Sequence, residues 1–387
     1  MICSQFPPIY GGAGGQAALL ARELSERDVL VEVVTLDQAR VGARLEGRVR
    51  VTRAWRRPSQ GGFSNALATI ALSVTSARRI VRTRPNIVHV HGIYWWTLVP
   101  VVVSKILGIA TVIKSTRDGE DDPWTVTRRR FREIPIGWLY GLPVKLCDAI
   151  VVLNAGAAML SAKRAGVATK AHLIKNGVDS EKFERSAVRR TVARDAKSVE
   201  SRKKIVIFVG YLVPHKGVPE LLAAWSRLNP EHAELWLVGP SQGFYRELEE
   251  SIPATIQTMA EAGINVRAFG HVAGDELPAL YWAADVFCLP SHAEGMPNSL
   301  AEALVAGCQI VATSIPGIVD IVDEKSAHLV PVSDVSSLQR ALDSALRGPD
   351  LDTDLVAASL SIEAVANEYI GLYESLTGLT IRRGEVG

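Results

Sequence analysis

The chain has 387 residues, 48% of them hydrophobic and 22% charged, so it is long enough for two globular domains and too apolar to be disordered. Lys and Arg number 43 against 41 Asp and Glu, and the resulting net charge of +2 gives no support to nucleic-acid binding. The four cysteines have no C-x-x-C spacing, which argues against a zinc site and indicates a reducing compartment.

In chain order, short β-branched segments alternate with longer helical ones. This alternation predicts an α/β protein whose parallel sheets are covered by helices on both faces. The predicted strands are residues 30–35, 86–91, 110–115, 148–153, 171–174, 204–209, 234–238, 265–268, 285–289 and 309–313. The predicted helices include residues 14–27, 65–82, 219–228, 299–306 and 361–376.

The alternation is interrupted once, where residues 180–203 are charged and strand-free. We therefore predict a domain at residues 1–180, a linker at 181–203, a second domain at 204–358 and a separate C-terminal segment at 359–387. Only residues 1–4 are available for a first strand, whereas strands usually have five or six residues. This shortness predicts that the natural start lies a few residues upstream.

The termini and apolar segments indicate a cytoplasmic protein. The N-terminus lacks a basic segment and soon meets Pro7 and Pro8, unlike a signal peptide. The longest apolar run, residues 98–113, contains Lys105 and is shorter than the ~20 residues that span a bilayer. Two basic clusters are either solvated helix faces or contacts for an anionic membrane at the inner face of the cell membrane. They are Arg78, Arg79, Arg82 and Arg84, and Arg128, Arg129, Arg130 and Arg132.

A glycine-rich segment precedes the first predicted helix. Its pattern G-x-G-x-x-A, from Gly12, formally matches a dinucleotide fingerprint. That fingerprint requires a tight turn directly after a strand, and here two prolines intervene, which argues against NAD. Two interpretations remain open: Gly12, Gly14 and Gly15 let the backbone approach an anion, or the loop merely needs positive φ angles.

The strongest motif is residues 290–307, P-S-H-A-E-G-M-P-N-S-L-A-E-A-L-V-A-G. It follows a predicted strand, so Glu294 is expected on the loop beyond the strand's carboxyl end and Glu302 one turn into the next helix. Gly295 allows the chain to turn. The first helical turn is expected to offer free N–H groups at Asn298, Ser299 and Leu300. Such a site suits a diphosphate held by the backbone, with one carboxylate for each flanking sugar.

Three further residues are predicted to face the ligand. Lys216, in V-G-Y-L-V-P-H-K-G, follows the first strand of the second domain and is either a phosphate ligand or a solvated lysine. His91 ends the strand N-I-V-H-V-H-G, and His89 lies on the same face; no acidic residue completes a metal site there. Asn176, in N-G-V-D, is expected near the same ligand.

These motifs, together with F-P-P-I-Y-G-G-A-G, make the chain similar to family 4 of the retaining glycosyltransferases. The resemblance implies the GT-B fold, in which two doubly wound, Rossmann-like domains face a central cleft. It extends over nearly the whole chain, and Glu294 and Glu302 match the family's E-x7-E signature. The residues it implies in donor binding are Gly12, Gly14, Gly15, Gly210, Gly295, Met296, Pro297, Asn298, Ser299 and Glu302.

The resemblance also implies individual roles. Glu302 would bind the ribose of the donor nucleotide, Glu294 the hydroxyls of the donor sugar, and Lys216 the departing diphosphate. His91 would lie beside the donor sugar, and the C-terminal helix would cross back onto the first domain. With these groups in place no metal or other cofactor is expected, and anomeric configuration would be retained.

One departure concerns the position after the glycine of V-G-x-L, where many relatives carry arginine and this chain carries Tyr211. We hypothesise that Arg117, in K-S-T-R-D-G, replaces the missing cation. The aromatic residues Tyr94, Trp95 and Trp96 either contact a sugar or lipid or pack in the core.

The sequence therefore predicts a glycosyltransferase that uses a UDP- or GDP-linked sugar. Its acceptor would be a saccharide or a lipid-linked saccharide, as in surface polysaccharide or glycolipid synthesis. Three alternatives stay open: a non-catalytic GT-B binding subunit, a sugar-nucleotide epimerase and a dehydrogenase.

Overall fold

The computed structural model describes residues 1–8, 12–37, 42, 44–56, 62–116, 120–131, 133–240 and 251–381. They form two compact units: unit 1 is Met1–Gly177 with Ile362–Gly387, and unit 2 is Val178–Ser361. No helix in the described part of the chain has the length and apolar character needed to cross a bilayer.

Unit 1 is an α/β unit in which helices and strands alternate. Its strands are β1 (Glu32–Asp37), β2 (Arg44–Glu46), β3 (Val49–Arg56), β4 (Ile87–His91), β5 (Ala110–Lys114), β6 (Arg130–Phe131), β7 (Ile134–Pro135), β8 (Ala149–Val152) and β9 (Ala171–Leu173). Its first helices are α1 (Gly12–Glu26), α2 (Gly62–Thr83), α3 (Leu98–Ile106), α4 (Pro123–Thr127), α5 (Gly137–Leu146) and α6 (Ala157–Arg164).

The strands of unit 1 form the orders β2–β3–β1 and β4–β5–β8–β9, which the first residues of the chain connect. Toward β4, the N–H of Ile2 donates to the carbonyl oxygen of His89 at 2.8 Å. The N–H of His91 in turn donates to the carbonyl oxygen of Ile2 at 2.9 Å. On the other side the N–H of Cys3 donates to the carbonyl oxygen of Val34 at 3.1 Å. The short first segment therefore occupies the place between β1 and β4.

Unit 2 contains one parallel sheet with the order β12–β11–β10–β13–β14–β15. The central strand β10 is apolar and mostly buried, as expected when helices cover both faces. Its strands are β10 (Lys204–Val209), β11 (Ala233–Val238), β12 (Val266–Gly270), β13 (Val286–Leu289), β14 (Gln309–Thr313) and β15 (His328–Val330). Its helices are α7 (Ser180–Phe183), α8 (Ala187–Ala196), α9 (Val218–Leu228), α10 (Ser251–Glu261), α11 (Leu277–Ala283), α12 (Asn298–Val305), α13 (Pro316–Val319), α14 (Val335–Arg347) and α15 (Asp354–Ser359).

The predicted linker is the main difference between the sequence analysis and the structure. Residues 181–203 belong to unit 2 and contain most of α7 and all of α8. Their charges are anchored: Arg190 lies 2.7 Å and Arg194 3.4 Å from the carboxylate oxygens of Asp285, and both arginines donate to backbone carbonyls. Charged residues that bind a neighbouring element resemble a solvated linker in composition, which explains the wrong assignment.

The last helix, α16 (Ile362–Thr377), belongs to unit 1. It buries Val365, Tyr369 and Ile370 against Leu20 of α1 and Val112 of β5. The spacing of four residues from Val365 to Tyr369 makes about one helical turn, which places this apolar stripe on one side of the helix. The polypeptide thus completes unit 1 after it has formed unit 2.

Candidate active site

The candidate site in unit 2 is built on loops that follow two neighbouring strands. β10 and β13 pair in parallel, with Val206 opposite Val286, so their carboxyl ends lie at the same edge of the sheet. A short 3-10 turn after β10 carries Lys216, and the loop after β13 carries Glu294. The Lys216 Nζ lies 2.7 Å from Glu294 Oε1, which brings the two predicted residues together. With 8% of its side chain exposed, Glu294 is well shielded from water.

Hydrogen bonds fix the position of the Glu294 carboxylate. The Ser291 hydroxyl donates to Glu294 Oε1 at 2.6 Å, and the Thr313 hydroxyl donates to the carbonyl oxygen of Ser291 at 2.6 Å. Glu294 Oε1 therefore accepts from both Ser291 and Lys216. Ser291 and Thr313 were missed by the sequence analysis because Thr313 is distant in the chain and serine beside a glutamate is common.

Two glycines bring the surrounding backbones close together. Gly217 has φ +71°, and a Cβ on it would lie 2.0 Å from the carbonyl oxygen of Pro290. A Cβ on Gly317, which lies in α13, would be 2.2 Å from the carbonyl oxygen of Glu294. Any larger residue at either position must displace a loop of the site. The role of Gly317 was not predicted, since nothing in its local sequence points to the distant loop.

Helix α12 begins directly beyond the Glu294 loop. Its N-cap residue, Pro297, provides no side-chain acceptor for the first turn. Asn298 and Ser299 occupy the first two helical positions, where backbone N–H groups have no partner within the helix. The prediction of a free N–H at Leu300 is wrong, because this group donates to the carbonyl oxygen of Pro297 at 3.2 Å. The helix N-terminus remains favourable for an anion.

Glu302 lies one turn into α12 and is partly buried. Its Oε2 is 3.1 Å from the hydroxyl of Tyr281, a fully buried residue of α11. Removal from water raises the pKa of Glu302 to about 7, although Tyr281 and the charge of Lys182 act in the opposite direction. The carboxyl therefore changes protonation near neutral pH. The sequence analysis did not identify Tyr281 as its partner.

Other predicted residues of unit 2 lie around these loops. Gly210 follows β10, and its N–H donates to the carbonyl oxygen of Val238 at 2.9 Å. Tyr211, in the position of the missing arginine, has 45% of its surface exposed. Gly295 and Met296 continue the Glu294 loop, and Met296 is buried.

In unit 1, the predicted residue His91 ends β4 and is buried. Its ring stacks on that of His89 with the centroids 4.3 Å apart. Neither ring nitrogen of His91 has a hydrogen-bond partner among the described residues. Burial holds the pKa of His91 well below its usual value, so the imidazole is neutral at physiological pH.

His89, the residue whose ring stacks on His91, is held by the C-terminal helix. The Nδ1 of His89 lies 2.8 Å from the hydroxyl of Tyr373 in α16. Lys114 pairs with His91 across β4 and β5, and its Nζ lies 5.7 Å from the centre of the Tyr369 ring. Burial lowers the pKa of Lys114 to about 7, which keeps its charge low beside the two histidines.

The predicted glycine loop is partly helical, because α1 begins at Gly12. Gly12, Gly14 and Gly15 therefore lie in its first turns rather than in a loop before it. A Cβ on Gly14 would lie 2.7 Å from the carbonyl oxygen of Gln5, so this glycine allows close packing. The prediction for Arg117 falls outside the described residues.

Asn176 is buried in the segment after β9. The next residue, Gly177, exchanges two hydrogen bonds with the side-chain amide of Gln16 in α1, at 2.9 and 3.1 Å. Gln16, which the sequence analysis missed, thus fixes Gly177 beside α1. The Asp179 of the same motif caps α7 by accepting from the N–H of Lys182 at 3.1 Å.

Of the three aromatic residues after β4, Trp96 is buried in the core of unit 1. Tyr94 and Trp95 are partly buried and pack against that core. The Tyr94 ring stacks on Trp96 with a centroid separation of 5.8 Å. Core packing thus accounts for the position of Trp96.

Comparisons with known proteins agree with these motifs. Residues 10–182 match the family model described as Glycosyltransferase Family 4, and residues 203–347 match the model described as Glycosyl transferases group 1. The MMP alpha-(1->4)-mannosyltransferase of Mycolicibacterium hassiacum is 30% identical over 215 residues. That match covers 52% of this chain and 48%, or about half, of the relative.

A second relative matches over most of its length. The alpha-maltose-1-phosphate synthase of Mycolicibacterium smegmatis is 23% identical over 364 residues, 90% of each chain. Among solved structures, Anabaena HepE in complex with UDP-glucose has a TM-score of 0.71 at 17% identity, covering 98% of this chain and 99% of HepE. The likeness to the HepE structure shows the fold of this chain. Together with the two matching models, these findings show that the chain belongs to glycosyltransferase family 4 and has the GT-B fold.

Proposed function

We propose that the chain is a retaining, metal-independent glycosyltransferase that uses a UDP- or GDP-linked sugar. It transfers the sugar to a hydroxyl of a saccharide or lipid-linked acceptor, in the synthesis of a surface polysaccharide or glycolipid. Family membership supports the general activity. The structure of HepE with UDP-glucose supports the class of donor.

The observation that carries the proposal is the contact between Lys216 and Glu294, 2.7 Å apart beside the N-terminus of α12. A cation, a carboxylate and a helix N-terminus are the groups that a sugar diphosphate requires. On donor binding, the Lys216 ammonium contacts the diphosphate and Glu294 accepts hydrogen bonds from the sugar hydroxyls. Ser291 keeps the Glu294 carboxylate in place through its 2.6 Å hydrogen bond.

Charge development explains how these groups accelerate transfer. When the bond between the anomeric carbon and the diphosphate oxygen breaks, negative charge grows on the diphosphate. Lys216 and the first N–H groups of α12 stabilise that charge, an effect worth a few kcal/mol for each well-placed donor. The acceptor hydroxyl attacks from the face that the diphosphate leaves, and the leaving phosphate accepts the proton. This route retains the anomeric configuration and needs no separate enzymic base.

Two further residues complete the proposal. Glu302, ionised, accepts hydrogen bonds from the ribose hydroxyls of the nucleotide, with Tyr281 orienting its carboxylate. The neutral, buried imidazole of His91 is the group of unit 1 that the family resemblance assigns to the donor sugar.

Donor turnover tests the proposal. UDP- and GDP-sugars are incubated with the protein and a panel of saccharide acceptors, and the anomeric protons of donor and product are followed by NMR. We expect one donor to be consumed with retention of configuration. Lys216→Ala and Glu294→Gln should slow consumption by about a hundredfold or more, whereas Lys325→Ala, which removes an exposed charge of the same unit, should not.

Three outcomes would contradict the proposal. An inverted product would refute the mechanism. Conversion of the donor into an isomer without an acceptor would indicate an epimerase. Nucleotide binding without turnover of any donor would indicate a non-catalytic subunit.

A further inference from the structure

Unit 1 has a helical layer whose charge is entirely of one sign. Helix α3 packs beside both α2 and α5. Within their bounds, α2 contains three arginines and α3 and α5 contain one lysine each, but none of the three helices contains Asp or Glu. The chain as a whole has 43 basic and 41 acidic residues, so this layer departs strongly from the average. We call the solvent-exposed surface of α2, α3 and α5 the basic layer.

Part of this positive charge is uncompensated. Arg79 is neutralised by Glu32 at 2.7 Å, and Lys105 by Asp148 at 3.1 Å. The remaining basic residues are exposed and form no ion pair within the described part of the chain. They are Arg78 and Arg82 of α2, Arg84 directly after it, and Lys145 of α5.

The basic layer also exposes apolar side chains in a regular pattern. Leu67, Ile70, Val74 and Val81 of α2 are all exposed. Because they are separated by three, four and seven residues, they form one stripe along the helix. Arg78, four residues after Val74, lies on the same stripe. A soluble surface helix ordinarily presents polar residues to water at such positions.

The neighbouring helices extend this apolar surface. Val99 and Ile106 of α3 are exposed, Ile106 to 77%. Trp138 and Leu142 of α5 are also exposed, and Trp138 reaches 63%. Isolated apolar residues on a surface need no explanation, but residues shared by three adjacent helices form a patch. The patch therefore combines apolar side chains, an exposed tryptophan and unpaired cations.

This combination has the chemistry of an anionic bilayer surface. Apolar side chains enter the boundary between headgroups and acyl chains, and tryptophan favours the same depth. Arginine binds lipid phosphates, and its aliphatic stem can lie along the apolar surface. The absence of any acidic residue from the three helices removes the repulsion that an anionic surface would otherwise meet. Charge complementarity thus selects anionic lipid as the occupant.

We propose that the basic layer docks on the surface of an anionic phospholipid bilayer. Leu67, Ile70, Val74 and Trp138 enter the interface, while Arg78, Arg82 and Arg84 contact lipid phosphates. Binding to the bilayer is independent of the proposed transferase activity. Only its consequence, the presentation of unit 1 to a lipid-linked acceptor, rests on the proposed function.

Vesicle sedimentation of the full chain tests this proposal without any donor. We expect binding to phosphatidylcholine vesicles containing about 30% phosphatidylglycerol and much weaker binding to pure phosphatidylcholine. Each interfacial arginine contributes about fivefold, so Arg78→Gln with Arg82→Gln should weaken binding roughly 25-fold. Raising the salt from about 0.05 M to about 0.5 M should also weaken it, since screening acts on exposed charges.

A matched double variant controls for net charge. Arg202→Gln with Arg227→Gln removes two exposed arginines of unit 2 and should bind vesicles as the wild type does. A third variant, Ile70→Ser with Val74→Ser, removes apolar surface and should weaken binding that persists at high salt. Melting temperatures of all variants should equal that of the wild type, because the substituted side chains are exposed.

The proposal is overturned if vesicles with and without phosphatidylglycerol bind equally, or if the unit 2 control loses as much binding as the α2 variant. It is also overturned if the wild type forms a dimer in solution that Ile70→Ser with Val74→Ser dissociates, because the patch would then pair two copies of the chain. Failure of nucleotide binding would leave these results unchanged, so this test is separate from that of the proposed function.

Discussion

Lowering the pH from about 8 to about 6 should weaken nucleoside diphosphate binding through one carboxyl group, that of Glu302. Its pKa in the unliganded protein is raised to about 7 by burial. To accept hydrogen bonds from both ribose hydroxyls, the carboxylate must be ionised. Binding at lower pH therefore requires a proton to be released first, which costs affinity.

The size of this effect follows from the pKa. The apparent dissociation constant scales as one plus the ratio of protonated to ionised carboxyl. With a pKa of about 7, that factor is about 1.1 at pH 8, about 2 at pH 7 and about 11 at pH 6. Affinity should therefore fall about tenfold between pH 8 and pH 6. At pH 7 each binding event should release about half a proton from this group.

Calorimetric titration over this pH range, in two buffers of different ionisation enthalpy, measures both quantities. The diphosphate itself titrates, so Glu302→Gln is the control: the isosteric amide keeps the shape of the site and cannot ionise. We expect weaker binding by the variant, and a pH dependence that reflects the ligand alone. If wild type and variant showed the same pH dependence and proton release, our assignment of Glu302 to the ribose would be refuted.

The same carboxyl should affect the stability of the unliganded protein. Because its folded-state pKa lies above the ordinary glutamate value of 4.5, its contribution to stability is greatest at low pH and falls as the pH rises through about 7. Glu302→Gln should therefore stabilise the protein at pH 8, by about 3 kcal/mol at most. Urea unfolding of this variant and of Glu324→Gln, an exposed control, measures the difference; equal stability of both variants would contradict the buried environment.

Three other predictions concern single side chains. Lys216→Ala should lower kcat by about 10²- to 10³-fold, measured by release of nucleoside diphosphate, since it removes one stabilising cation; an unchanged kcat would refute its role. Gly317→Ala places a Cβ 2.2 Å from the carbonyl oxygen of Glu294, so it should displace the loop after β13 and weaken donor binding, measured by calorimetry. Wild-type affinity in this variant would show that the loop can move without affecting the donor site. Tyr373→Phe leaves the buried Nδ1 of His89 without its partner and should cost about 1–3 kcal/mol in urea unfolding. Tyr369→Phe is its control, because that hydroxyl has no partner among the described residues, and equal losses would contradict the account.

The sequence predicted the strands of continuous apolar character closely. The predicted strands 204–209 and 309–313 agree with β10 and β14 residue for residue. Strand β3 was missed because charged and polar residues interrupt its apolar ones, V-R-V-T-R-A-W-R, although Val49, Val51 and Ala54 are buried. A search for uniformly apolar segments does not detect a half-exposed strand.

A residue of the candidate site was predictable where it belongs to a contiguous sequence motif of its own. The structure brings Lys216 and Glu294 together, since parallel strands present their carboxyl ends at a common edge. Tyr281 and Gly317 act through contacts between segments that are distant in the chain, and their local sequences carry no signal of those contacts. The sequence therefore indicates which groups bind the ligand more readily than which groups hold them.

The most direct test of the central claim, that unit 2 binds the nucleoside diphosphate of a sugar donor, is calorimetric titration of the purified protein with UDP, GDP, ADP and NAD. We predict that UDP or GDP binds, that NAD does not, and that Glu302→Ala abolishes the binding while the protein remains folded. Binding of NAD, failure of every nucleoside diphosphate to bind, or undiminished affinity in Glu302→Ala would contradict it.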